Sequence, residues 1–220
     1  MTEQWSDTGK ARASLMVDED AGLSAMLTGM DSLSYGEQAG ARMRPGLILN
    51  DLEDEHDCFS DNTHNSHYYD GKGVQNVCLG QYTRVDGSVV SGPSIADLVA
   101  VTNVDLDTEM HAKLDATMKA LGHIKVAAES GFAYDQMLER GNAEGGTLIM
   151  GGVNGLIDQT RSIGCVRVEH PESRAHFVCY NPDHKLHHAG TVRILISRGS
   201  NRSRPLERRR VFATFGQHQF

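Results

Sequence analysis

Apolar residues recur at three- and four-residue steps through most of the first 163 positions. From Asp18 onward, Leu23, Met26, Leu27, Met30 and Leu33 fall on one helical face, and Asp18 to Asp20 suit an N-cap and the positive end of a helix dipole. Gly29, Gly36 and Gly40 form a neighbouring stripe that would let a second helix approach. Pro45 disfavours helix at Arg44, so a break or kink is expected there. "GLILNDLEDEH" then resumes as a short helix carrying Leu47, Ile48 and Leu52. Residues 58–92 show no clean period and read as a polar turn, a short "GVQNVCLG" element and a loop, "RVDGSVVSGP".

A helix is predicted from near Pro93, with Ile95, Leu98 and Val99 inward. Asp105 is placed to cap the clearest helix, whose stripe is Leu106, Met110, Leu114, Met118 and Leu121. Its outer face offers two favourable i,i+4 pairs, Glu109–Lys113 and Asp115–Lys119. A last amphipathic run over 147–163 carries Ile149, Val153, Leu156, Ile157, Thr160 and Ile163, interrupted by Gly151, Gly152 and Gly155. No strand–helix alternation occurs before residue 164, so the predicted class is an all-α helical bundle.

After Ile163 the period stops. "TVRILIS" reads as a lone strand with no evident partner, and "SRGSNRSRPLERRR" is a basic low-complexity run. The domains expected are therefore 1–163, a helical bundle, and 164–220, a basic irregular tail that is disordered or derived from a frameshift. Charge divides the chain at the same point. Residues 164–220 carry ten Lys and Arg against four Asp and Glu, a balance of +6, which leaves −14 for residues 1–163.

Composition narrows the function classes. A chain of 220 residues can bury a sizeable core. A hydrophobic fraction of 39% and a mean hydropathy of −0.39 suit a water-facing globule. No stretch approaches the roughly 20 apolar residues that cross a bilayer. The net charge of −8 argues against nucleic-acid binding through phosphates. The opening residues lack a basic region followed by an apolar one, so no secretory signal is read there. Cys58, Cys78, Cys165 and Cys179 form no CxxC pair, and neither a P-loop, a dinucleotide fingerprint nor HExxH occurs.

Candidate chemistry concentrates in "NDLEDEHDCFSDNTHNSHYYDGKG", residues 50–73, with seven carboxylates and three histidines. If 49–59 is helical, Glu53, His56 and Asp57 share one face. Glu-x-x-His is the arrangement by which helical bundles offer a carboxylate and an imidazole to one metal. Asp61, His64, His67 and Asp70 add oxygen and nitrogen donors, a mixed set suited to Fe or Zn. The competing reading is a solvated acidic turn, because Asp, Asn and Ser hydrogen-bond their own backbone; composition alone favours it. His111 reads as a surface residue and His123 as a helix-end cap. His184, His187 and His188 have metal-like spacing but sit in the aperiodic tail. Cys58 is a poor nucleophile beside Asp57, whose charge disfavours a thiolate.

Four stretches, "GMDSLSYGEQAGARM", "EDEHDCFSDNTH", "GVQNVCLGQYTRVDG" and "AYDQMLERGN", in this order and spacing resemble the C-terminal half of the imelysin family. The resemblance runs from about residue 1 to Ile163. It implies an all-α fold of two bundles related by duplication, with a functional cleft between them, in bacterial cell-envelope proteins that are often iron-regulated and are classed as metallopeptidases. The family's GxHxxE motif fits no histidine of this chain. The chain thus resembles an imelysin that begins within the family's linker helix, without signal peptide or first bundle.

The expectation is a truncated imelysin-like protein associated with iron or metal binding or uptake, without independent catalysis. Glu53, His56, Asp61 and His64 are the candidate ligands for Fe or Zn on its wall of the cleft. The alternatives are a metallopeptidase, and a gene remnant or partner module docking to an N-terminal imelysin bundle. The resemblance implies periplasm or cell envelope; the residues themselves, lacking a signal, imply cytoplasm.

Overall fold

The structure, a computed structural model, describes residues 2–6, 8–16, 19–169 and 192–195. In chain order the elements are α1 (Thr2–Trp5), α2 (Lys10–Met16), α3 (Glu19–Asp31), a π-helical segment (Ser32–Met43) and α4 (Arg44–Leu49). After a loop come α5 (Thr63–Leu79), strands β1 (Gln81–Thr83) and β2 (Val89–Ser91), α6 (Ile95–Thr102), α7 (Val104–Glu129), α8 (Tyr134–Leu138) and α9 (Ala143–Ile163). Strands β3 (Val166–Glu169) and β4 (Val192–Leu195) follow. The class is all-α, a helical bundle. Packing separates two compact units, residues 29–163, and residues 1–28 with 164–220.

In the 29–163 unit, α9 packs along α7 and against the π-helical segment, and α5 and α6 pack on α7. The core joins Met43, Leu121, Ile124, Tyr134, Met137, Leu138, Ile149, Val153 and Leu156, all at most 1% exposed. Burial of each such aliphatic side chain contributes about 1.5–3 kcal/mol. Glycines on α9 let the helices close up. A Cβ on Gly152 would stand 3.0 Å from Met43 and 3.1 Å from Ile124 and Leu121, and one on Gly155 would lie 3.1 Å from Thr117 Cα. The stripe of Gly29, Gly36 and Gly40 does not have this role, for a Cβ at Gly29 or Gly36 meets nothing within 4 Å and one at Gly40 meets only the Tyr35 backbone of its own segment.

Several local expectations are corrected. Pro45 does not break the chain's helical course. It sits at the start of α4, where the π-helical segment gives way to α-helix and a missing N–H costs nothing. Buried Ser34, Gln38, Ala39 and Met43 advance by four and five residues, as the wider π turn requires. Residues 63–79, read as turn and short element, form one helix. Its inner face carries Thr63, His67, Gly71, Val74, Gln75 and Cys78, too polar to register as an apolar stripe.

The loop "RVDGSVVSGP" holds a β-hairpin, closed by the left-handed Gly87 (φ 81°) and by Arg84 N–H donating to Ser88 O at 2.8 Å. Asn103, not Asp105, caps α7, accepting from Leu106 N–H at 3.0 Å. The helix runs past Gly122, which puts His123 inside it rather than at its end. Within α7 the i,i+4 pairs are Asp107–His111 and Lys125–Glu129, whereas the charged residues expected to pair along it reach neighbouring helices. Lys113 faces Asp158 at 3.8 Å, Glu109 accepts from Ser162 Oγ at 3.1 Å, and Asp115 accepts from Gln75 at 3.0 Å.

In the other unit, β3 and β4 pair in parallel, Val166 opposite Val192 and Glu169 opposite Leu195. The strand expected at "TVRILIS" therefore has a partner. The tail expected to be disordered, with His184, His187 and His188, otherwise lies outside the described residues. No helix among the described residues is long and apolar enough to cross a membrane.

Candidate functional site

The acid–histidine stretch is not the helix expected from Leu49 to Phe59. Asn50 takes a left-handed conformation (φ 51°) and ends α4, its N–H donating to Gly46 O. Asp51 then accepts the Glu53 N–H on its side chain at 3.0 Å, and successive turns close at Asp54 and Ser60. Side-chain oxygens that satisfy nearby N–H groups compete with helical bonding, and here they prevail. Glu53 and His56 consequently do not share a helical face.

The four predicted ligands separate. Glu53 and Asp61 are exposed, and Asp61 is itself left-handed (φ 50°). His64 is half-buried, with Nε2 3.1 Å from the Asn65 amide nitrogen. His56 turns inward and its Nδ1 meets Arg42 Nη1 from the π-helical segment. Among the described residues, no group of three or more His, Cys, Asp or Glu is arranged to hold a metal ion.

A different constellation forms around His67. Its ring is 1% exposed, lies 5.4 Å from the Tyr134 ring and 6.1 Å from that of His56, and has no hydrogen-bond partner on either nitrogen. Gln38 fixes the backbone beneath it, donating to His67 O at 2.7 Å. Asp57 is tied to α5 twice, through its N–H to Thr63 Oγ1 at 2.9 Å and through its carboxylate to Ser66 Oγ. Gln38 Oε1, Glu55 Oε2 and Tyr134 Oη are also buried without partners. Unpaired buried polar atoms are uncommon in folded proteins and mark functional or strained places.

Burial sets the protonation states. It pushes the His67 pKa down to about 3, with the neighbouring His56 ring and the Arg42 guanidinium adding to this and Asp57 opposing, so the His67 ring is neutral at pH 7. Burial raises the carboxyl groups of Glu55 and Asp70; for Asp70, His56 and Arg42 pull the other way. The Tyr134 hydroxyl is raised by burial and by the nearby Glu55 and Asp54 carboxylates. Neutral His67 has one ring nitrogen lone pair free for a donor or a metal.

Gln38, Arg42 and Tyr134 were not singled out by sequence reasoning, though all three lie in stretches that carry the family resemblance. Gln38 and Arg42 stand four apart, a spacing that reads as a solvated α-helical face. On the π-helical segment Gln38 is buried and Arg42 half-buried.

The molecule is thus a helical bundle with a buried acid–histidine cluster where a π-helical segment, a loop, α5 and α8 meet. Residues 1–163 match the family model described as imelysin, of the M75 peptidases, and the chain belongs to the imelysin family. No curated protein matches it.

As placed, the residues do not fit a divalent metal. A guanidinium only donates, so Nδ1 of His56 accepts, and the neutral ring then carries its proton on Nε2. That leaves His56 no lone pair for a metal, while Glu53 and Asp61 face solvent.

Proposed function

We propose that this bundle supplies one wall of an imelysin-type cleft and has a part in iron or metal association at the cell envelope, without catalysing a reaction by itself. The observation that carries this reading is the pairing of His56 with the buried, neutral His67 beside Asp57 and Asp70, within a chain of the imelysin family. A neutral imidazole among carboxylates is the donor chemistry that borderline metals such as Fe and Zn prefer. Placement in the periplasm and docking to an N-terminal imelysin bundle belong to the same reading. The exposed Ile48, Leu49, Leu52 and Phe59, in and after α4, support the docking.

Catalysis by the bundle alone is not expected. The described residues bring together no set of three metal-binding side chains. Titration calorimetry of the purified chain with Fe(II) and Zn(II) tests the reading. Weak binding that His67→Ala reduces further would support it. Absence of any heat at millimolar metal would end the metal reading, and metal-dependent cleavage of casein would favour a metallopeptidase instead.

A further inference from the structure

Arg42 reaches the cluster from the π-helical segment, its Nη1 on His56 Nδ1 and its Nη2 3.5 Å from Glu37 Oε2 at the surface. The side chain is 39% exposed, so the guanidinium stands at the mouth of the cluster rather than within the core. Behind it lies His67, 1% exposed with both ring nitrogens unpartnered, and the charge of Arg42 reaches both His67 and Asp70. A cation thus already stands among the groups that would attract one.

We propose that the Arg42 guanidinium is the resident cation of this cluster, filling the position that a divalent metal would need and holding the one free lone pair of His56 in a hydrogen bond, so that it cannot ligate. The proposal extends the metal reading above and explains why the donor set, as placed, does not fit an ion. Two effects act together. A fixed positive charge repels a dication at short range in a half-buried setting. The donated N–H also consumes the Nδ1 lone pair and leaves the proton of neutral His56 on Nε2. A metal-binding histidine uses the opposite arrangement, in which one nitrogen ligates and the other donates outward. Removing the guanidinium frees the Nδ1 lone pair of His56 and leaves Asp70 without a nearby positive charge.

The test is Zn(II) titration of the full chain as wild type, Arg42→Gln and Arg42→Gln/His56→Ala, with circular dichroism to verify folding. His184, His187 and His188 are common to all three proteins, so their background cancels in the comparison. Arg42→Gln is expected to bind Zn(II) at least ten-fold more tightly than wild type, and His56→Ala to erase the gain. Equal or weaker binding by Arg42→Gln overturns the proposal, and if wild type binds measurably the metal reading survives. Tight binding by Arg42→Gln with none by wild type upholds the proposal and removes the metal reading for the natural chain. Nitrogen-15 NMR of wild-type His56 gives a second readout that needs no variant. The expected signature is a proton on Nε2 with Nδ1 accepting, and a proton on Nδ1 overturns the proposal.

Discussion

His67 couples the site to stability through its protonation. Its folded pKa is lowered to about 3, whereas an unfolded histidine titrates near 6.5. Below pH 6.5 the unfolded chain takes up a proton that the folded chain refuses. The stabilising contribution is therefore complete above pH 6.5 and is lost as pH falls toward 3. The linkage predicts a loss of about 2 kcal/mol between pH 6.5 and 5. Glu55 and Asp70, raised in the folded state, act in the opposite direction at lower pH. His67→Phe keeps a ring against Tyr134 and should flatten the urea midpoint between pH 7 and 5; an unchanged slope would refute the assignment. Gly145 gives a steric counterpart. A Cβ there would lie 2.4 Å from Met137 Cα, backbone that cannot yield. Gly145→Ala should cost about 1–3 kcal/mol by chemical denaturation.

At the scale of elements, what could be read from sequence depended on how each helix hides its inner face. α7 and α9 bury aliphatic residues at regular steps, and both were legible, as was the all-α class. α5 was not, because its inner face carries His67, Gly71 and Gln75. Gly71 lies where a Cβ would stand 2.4 Å from Leu121 Cδ1, a contact invisible to periodicity. The π-helical segment was missed because its residues advance by more than 3.6 per turn, which turns Gln38 and Ala39 inward. The candidate ligands rest on a helix that local Asp side chains replace with turns, so the helical geometry expected for them does not occur. Caps are equally local. Asn103→Ala should destabilise by about 1 kcal/mol, through loss of the bond to Leu106 N–H. Asp105→Ala should cost only a few tenths, since Asp105 acts through the helix dipole alone. Equal losses in thermal melts would contradict this placement of the cap.

For the whole molecule, the decisive contrast is between where the core lies and where the charge changes sign. Every residue of the main cluster, from Ala39 to Leu156, belongs to the 29–163 unit, so the unit carries its own apolar driving force. The charge balance along the chain is less favourable. Residues 1–163 hold −14, and the +6 of residues 164–220 lowers this to −8 for the chain. Net charge of one sign opposes compaction, and salt screens it over about 8–10 Å. A chain ending at Ile163 should keep its helical circular dichroism and a cooperative transition, because no main-cluster side chain is lost. Its midpoint at low salt should nevertheless fall, and raising salt from about 10 to 150 mM should stabilise it more than the full chain. Thermal melts of the two proteins across that range separate the contributions. Loss of the cooperative transition would mean that the 29–163 unit depends on residues 164–220 for more than charge, whereas identical salt responses would mean that the basic segment does not offset the acidity of the bundle.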